Sequence, residues 1–381
     1  MADATPAAPP FDAVLVVSPP SRAAVAGMRL IERAAFTLAR AGARRLLCLG
    51  APPEGAYRWP GVATTWTADA ATAEAAAWIA AASPRVVAMD AACVVDPATV
   101  AALAADEAPS PLRAGGGLLR VLPVACTAVA GALAADSVSE RAAPAGMAGL
   151  RPWPLPPGAL LLRARDAAGR AAAGRALFAR LGRPGDGWFT RVVDRKLSRA
   201  LTRLLLPTGI SPNTVTLTSI AIGLLAGALF AVGGPRAGLA GALLFLASTI
   251  IDGCDGELAR LTFRESPFGA RLDVIGDNVV HVAVFGGIAY GVYRTSHDPS
   301  VAIAGWALVL GVLASMAVVY LFVVRREPSA RQRVLFEAFA SREFAYLLVV
   351  LTLAGKLAWF LWLSAVGTYA FIAGMLALRR A

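Results

Sequence analysis

Up to about residue 110, short β-rich apolar runs alternate with Ala-rich helical stretches, whereas from about Val215 onward the chain is a series of long apolar runs. Ala13–Ser18 (AVLVVS), Arg45–Leu49 and Arg85–Met89 (RVVAM) predict buried strands, with helices over Leu30–Ala41 and Ala71–Ala82 between them. Such alternation implies an α/β sandwich around a mostly parallel sheet. Leu118–Val124 and Ala159–Leu162 are candidates to complete the sheet, and the prolines of Pro152–Pro157 limit helix there. Asp186–Pro207 then predicts a basic amphipathic helix. Phe189, Val192, Val193, Leu197, Leu201 and Leu204 recur at helical spacing against Arg191, Arg195, Lys196, Arg199 and Arg203. A helix of this kind lies in the headgroup layer of a bilayer; the plainer alternative is a soluble linker helix.

Six apolar runs follow, at 214–233, 237–257, 270–292, 301–324, 343–356 and 358–378. About 20 helical residues cross the ~30 Å hydrocarbon core, so these read as six transmembrane helices, the fifth being short. The expected organisation is an α/β domain over 1–180, an interfacial helix over 186–210 and a six-helix integral membrane domain over 211–381. Basic residues gather in the pre-membrane helix, in the 260–271 loop (Arg260, Arg264, Arg271), in the 325–342 loop (Arg325, Arg326, Arg331, Arg333, Arg342) and at Arg379 and Arg380; the other connections hold only Arg236, Arg294 and Lys356. Positive residues mark the cytoplasmic side. Both termini and the 260–271 loop are therefore expected on the cytoplasmic face of the inner membrane. Residues 1–10 lack the basic and apolar regions of a signal peptide, which agrees.

Composition supports this division. Hydrophobic residues make up 57% of the chain, more than a soluble domain carries. The net charge of +11 lies mostly between apolar runs, without the aromatic interleaving of a single-strand binder, so a membrane surface and phosphate-bearing substrates explain it better than nucleic acid. Cys48, Cys93, Cys126 and Cys254 show no CxxC spacing and His281 and His297 are the only histidines, which argues against zinc sites and disulfide frameworks.

The candidate chemistry lies between the second and third runs. Asp252 and Asp255 are three apart and Asp273 and Asp277 four apart, so each pair shares one helix face. Acidic groups at a membrane boundary are costly unless paired or bound to a cation, and facing carboxylates suit hard ions such as Mg²⁺ or Mn²⁺. Gly253, Gly256, Ala259 and Gly269 remove bulk nearby, for close helix packing or for a ligand. A cation transporter is the competing class, but it calls for acidic residues near mid-span.

The spacing Asp252-x2-Asp255-Gly256-x2-Ala259-Arg260-x8-Gly269-x3-Asp273-x3-Asp277 resembles the signature of the CDP-alcohol phosphotransferase family at every fixed position, and Pro212-Asn213-x-Val215-Thr216 is similar to that family's opening of the first span. The resemblance covers about residues 186–381. It implies displacement at the phosphorus of a CDP-linked alcohol by a second hydroxyl, releasing CMP, with two Mg²⁺ or Mn²⁺ ions as cofactors. It assigns metal coordination to Asp252, Asp255, Asp273 and Asp277, with Asp277 also the general base. Asn213, Thr216, Gly256, Ala259 and Gly269 are expected to line the CDP moiety. Arg260 suits the diphosphate, although a role with the aspartates is equally open. Arg342 is the preferred contact for an anionic acceptor, with Arg271, Arg264, Arg325 and Arg326 as further candidates; His281 is expected to be an ordinary helix residue. A CDP-alcohol donor, an alcohol-phosphate acceptor, the bilayer and a second copy of the chain in a homodimer are the expected partners.

Gly27–Gly50 and Val86–Val100 resemble pieces of a sugar-phosphate nucleotidyltransferase, with Asp90 at the metal-binding position and Asp96 following at a familiar spacing. Ser18–Val25 (SPPSRAAV) has two prolines and no glycine where that family has its Gly-rich triphosphate loop. A degenerate cytoplasmic domain is therefore expected, with an active cytidylyltransferase as the alternative. The order of the two parts resembles fused enzymes that make CDP-inositol and join it to inositol 1-phosphate; a lipid product from CDP-diacylglycerol is the other expectation.

Overall fold

The computed structural model describes residues 10–108, 111–115, 117–121, 151–182, 193–321, 329–339 and 343–378, with single positions at 123, 126 and 133. The chain divides into two compact units, one of residues 1–180 with 261–263, the other of 181–260 with 264–381.

The strands of the first unit are β1 (Phe11–Val16), β2 (Ala24–Val25), β3 (Met28–Arg29), β4 (Ala43–Leu49), β5 (Ala63–Thr67), β6 (Val86–Asp90), β7 (Cys93–Val95), β8 (Leu112–Gly115), β9 (Leu118–Val121), β10 (Arg151–Pro152) and β11 (Leu161–Arg163). Seven form one sheet in the order β10-β8-β9-β6-β1-β4-β5. β6, β1, β4 and β5 run parallel, while β9 is antiparallel to both β6 and β8. Alternate residues of β1 serve opposite faces. Phe11, Ala13 and Leu15 pack with Ile31 and Leu38 of α1 (Leu30–Arg40) and with Leu103 of α3 (Pro97–Ala105). Val14 and Val16 pack with Ala75 and Trp78 of α2 (Ala73–Ala80). Burial on both faces makes the central strands continuously apolar, as parallel sheets require. Leu118–Val121 joins the sheet as expected, but the 159–162 run does not. Its residues pair with β7 in a separate two-stranded sheet, where the Asp96 carboxylate accepts the Leu160 N–H at 2.6 Å. α4 (Ala167–Ala179) follows, with Asp166 capping Gly169 N–H.

The helices of the second unit are α5 (Arg195–Leu205), α6 (Pro212–Val232), α7 (Pro235–Thr262), α8 (Pro267–Ser296), α9 (Pro299–Val319), α10 (Ala330–Phe339), α11 (Phe344–Leu353) and α12 (Leu357–Ala377). Three starts share one device. Ser211, Ser266 and Asp298 accept a backbone N–H of the first turn, and each precedes a proline at the first helical position, where no N–H is needed.

Among the described residues, α6, α7, α8, α9 and α12 are long and apolar enough to cross a membrane. That is five, where six were expected. α11 has only ten residues, roughly 15 Å of helix, because the chain leaves helical geometry at Gly355, whose φ is +68°. Of the expected interfacial helix, 186–192 lie outside the described residues; α5 buries Ser198 and Thr202 while Leu197 and Leu204 stay exposed.

α6 and α8 approach through glycine. A Cβ at Gly287 would stand 2.2 Å from the Gly227 carbonyl oxygen, and one at Gly291 would stand 2.0 Å from that of Phe230. Small residues allow such backbone contact between membrane helices. This packing brings the first turns of α6 and α8 together.

Candidate metal and active site

Asp252 and Asp255 lie on the last turns but two of α7, and Asp273 on the second turn of α8. The two α7 carboxylates are buried and Asp273 is partly buried; one oxygen from each of the three lies within 4.8 Å of the others. Like charges drawn this close repel unless a cation is held among them. The donor set is all carboxylate oxygen, which fits hard divalent ions rather than zinc or copper. The residues present thus fit the expected metal.

α6 supports two of these carboxylates from one face. Thr216 Oγ1 donates to Asp255 Oδ2, and the Gly256 N–H donates to Asp255 Oδ1. Ser219 Oγ lies 3.5 Å from Asp252 Oδ1 and donates to the Thr216 carbonyl at 2.7 Å. Hydrogen bonds of this kind orient metal-binding carboxylates. Thr216, expected along the nucleotide, therefore holds a carboxylate. Ser219 was missed, although it sits three residues after Thr216 on the same helix face.

The other expected residues divide. Asn213 and Gly269 are neighbours: a Cβ on Gly269 would meet Asn213 Oδ1 at 3.0 Å. Gly256 leaves room for Arg260, whose guanidinium lies 3.3 Å from a Cβ placed there. Ala259 and Arg260 are partly buried on α7. Asp277 stands one turn beyond Asp273, partly buried and outside the three-carboxylate group. Arg271 is exposed on α8, and Arg264 donates to the carbonyls of Gly209 and Ile210, at 3.1 and 3.3 Å. Arg342, Arg325 and Arg326 lie outside the described residues. The His281 ring stacks on Phe285 at 5.7 Å and lies 5.5 Å from Phe344.

The back of α7 carries a residue that sequence reasoning also missed. Glu257 is fully buried, with Ser198 Oγ and Thr202 Oγ1 each donating to it at 2.8 Å and Arg195 Nη1 at 3.3 Å. The signal was present as two hydroxyls four apart on an otherwise Leu/Arg helix.

In the first unit Asp90 is fully buried. Ala92 N–H donates to its Oδ1 at 2.9 Å and Arg165 Nε to its Oδ2 at 2.8 Å. A Cβ on Gly117 would meet Cys93 Sγ at 2.1 Å and the Asp90 side chain at 3.5 Å, so this end of β6 is filled with protein. Asp96 caps α3 through Thr99 and is paired with Arg180 at 3.3 Å.

Residues 209–377 match the CDP-alcohol phosphatidyltransferase family. The matched stretch runs from just before α6 to the end of α12. All three converging aspartates lie within it. Among curated proteins, the chain is 41% identical over 106 residues to a bifunctional IPC transferase and DIPP synthase of Rubrobacter xylanophilus, covering 28% of this chain and 24% of that protein. To the protein of the same name from Thermococcus kodakarensis it is 32% identical over 136 residues, 36% of this chain and 29% of that one. To a phosphatidylinositol phosphate synthase of Streptomyces avermitilis it is 38% identical over 125 residues, 32% of this chain and 47% of that one. The matched segment thus spans between a quarter and a half of these relatives. A crystal structure of Mycobacterium tuberculosis phosphatidylinositol phosphate synthase with CDP-DAG bound is similar over 48% of this chain and 92% of that one, at 20% identity and a TM-score of 0.36.

Proposed function

We propose that this protein transfers a phosphoalcohol group, phosphatidyl or phosphoinositol, from a CDP-alcohol donor to the hydroxyl of a second, phosphorylated alcohol. The observation that carries this reading is the convergence of Asp252, Asp255 and Asp273 within the stretch that matches the CDP-alcohol phosphatidyltransferase family. These three aspartates, with Asp277, would hold Mg²⁺ or Mn²⁺ as a pair of ions. When bound, such ions neutralise charge on the diphosphate.

The chain's own residues do the rest. Asn213, Gly269, Gly256 and Ala259 provide a small-residue floor for the cytidine nucleotide, and Arg260 places a guanidinium beside it. Thr216 and Ser219 keep the Asp255 and Asp252 carboxylates turned toward Asp273. Asp277 takes the proton of the acceptor hydroxyl. The acceptor oxygen then bonds to the phosphorus bearing the donor alcohol, and the bond from that phosphorus to the bridging oxygen breaks. CMP leaves with the electron pair. Arg271 and Arg342 are the proposed contacts for the acceptor phosphate.

The proposed setting is the inner membrane with the site and both termini cytoplasmic, α11 completing a sixth, short crossing, α5 in the headgroup layer and two copies forming a homodimer. The basic residues flanking the apolar runs support this orientation. The first unit we read as a degenerate nucleotidyltransferase-like domain, because the Asp90 carboxylate is matched by an arginine in a filled site.

The test is CMP release by purified protein in lipid nanodiscs with MgCl₂ or MnCl₂. CDP-diacylglycerol and CDP-inositol are each offered with inositol phosphate, glycerol phosphate or inositol. Metal-dependent CMP release with one donor–acceptor pair is expected; none with any pair, or full activity in Asp277→Ala, overturns the reading. Pyrophosphate release from CTP and inositol 1-phosphate would show an active first domain instead.

A further inference from the structure

The face of α7 opposite the aspartates carries a charge that the proposed chemistry does not use. At about 100° per residue, Glu257 lies roughly 140° round the helix from Asp252 and roughly 160° from Asp255. It nonetheless has no exposed surface, and both its oxygens are hydrogen-bonded. Among the described residues, its donors come from α5. Arg195, Ser198 and Thr202 are spaced three and four apart, which places them on a single stripe. On the same side, Cys254 Sγ lies 3.5 Å from the Ser198 carbonyl oxygen. α7 is therefore held between α5 behind and the Thr216 and Ser219 hydroxyls of α6 in front.

Burying a carboxylate and a guanidinium is expensive, and well-packed apolar residues of similar size often serve stability as well or better. What an apolar contact lacks is direction. Two hydroxyls and a guanidinium converging on one carboxylate permit a single rotation and a single depth of α7 against α5. A one-residue slip would carry Asp252 and Asp255 about 100° away from Asp273.

We infer that Glu257 is a positioning residue: gripped by Arg195, Ser198 and Thr202, it sets the rotation of α7 and so the convergence of Asp252 and Asp255 with Asp273. The inference rests on reading those three aspartates as the divalent-metal site.

The test is a titration of the full-length protein in lipid nanodiscs with MnCl₂, following free Mn²⁺ by its EPR signal, with the unfolding midpoint measured alongside. Glu257→Gln keeps the side-chain shape and loses the charge. It is expected to weaken Mn²⁺ binding about 10-fold, the scale of losses at groups that orient metal ligands. Arg195→Gln is expected to act in the same direction. The double variant should lose less than the product of the two single losses, since both remove one linkage. Should Glu257→Gln not fold, Ser198→Ala leaves the ion pair and is expected to weaken Mn²⁺ binding about fivefold. A lowered unfolding midpoint with Mn²⁺ affinity unchanged within twofold would reduce Glu257 to a packing contact and overturn the inference alone. No Mn²⁺ binding by the unsubstituted protein would overturn the metal reading, and this inference with it.

Discussion

Asp90 ends strand β6 of the first unit, and Asp252 and Asp255 lie near the end of helix α7 of the second; all three are buried, yet their surroundings differ in kind. Asp90 stands with one guanidinium and one backbone N–H against it, one negative charge matched by one positive charge in a filled site. Asp252 and Asp255 instead turn toward a third carboxylate, Asp273, with hydroxyls of α6 behind them. A carboxylate matched within the fold is already satisfied. Carboxylates gathered within 4.8 Å of one another create a demand for cations. Burial of an aspartate therefore says little about its use; the charge brought to face it says much more.

The comparison breaks first at the membrane aspartates. Asp277→Asn is expected to lower kcat by about 10²–10⁴-fold, the usual worth of a general base, with the KM for the CDP-alcohol little changed. A rise in KM with kcat preserved would move Asp277 out of the chemistry and into donor binding. Thr216→Val comes next. It keeps the shape of the side chain and removes the hydroxyl on Asp255, so the metal concentration for half-maximal activity should rise about 10–100-fold. An unchanged metal requirement there would mean that Asp255 needs no support from α6.

The first unit should respond in stability rather than in transfer activity. Arg165→Ala leaves the Asp90 carboxylate buried without its partner and should cost about 3–5 kcal/mol of that unit's stability, read from chemical unfolding. Asp90→Asn with Arg165→Gln should recover much of the loss. If Arg165→Ala instead gave Mg²⁺-dependent pyrophosphate release from CTP, the arginine would be a block on a competent site.

The smallest effect is one of pH. Burial raises the Asp12 carboxyl, but the hydrogen bonds from Arg45 and Ser83 outweigh it and hold the group below the usual carboxylate range. A carboxyl depressed in the folded state stabilises above its unfolded value, and that contribution is lost as pH falls through the lower folded value. The thermal midpoint of the first unit should thus fall below about pH 4, less steeply in Asp12→Asn. Equal slopes in the two proteins would remove Asp12 from the acid response. Arg45 is 32% exposed, so solvent screening keeps the effect modest.

How much of this was readable in the sequence differs between the units for a physical reason. The continuous apolar run of β1 and the 3.6 period of α1 are properties of a single segment, and they place those elements within about two residues. The aspartate spacings likewise show which helix face each carboxylate shares. What a single segment does not show is its neighbour. Ala159–Leu162 reads as a strand, but the pairing of Leu161–Arg163 with β7 depends on where Asp96 draws the chain. Ser219 reads as one more small residue of an apolar helix until α7 brings Asp252 beside it. Glu257 reads as a solvated charge at a membrane boundary until α5 covers it. The fifth run has a different cause: it extends to residue 356 in the sequence, but Gly355 in the left-handed region stops α11 early.

The contrast between the two acidic sites is tested most directly by crystals of the full-length protein soaked in MnCl₂, with anomalous diffraction used to locate manganese. The expected result is an anomalous peak bounded by Asp252, Asp255 and Asp273, with none at Asp90. Manganese at Asp90, or an empty map at the three converging carboxylates, would contradict it.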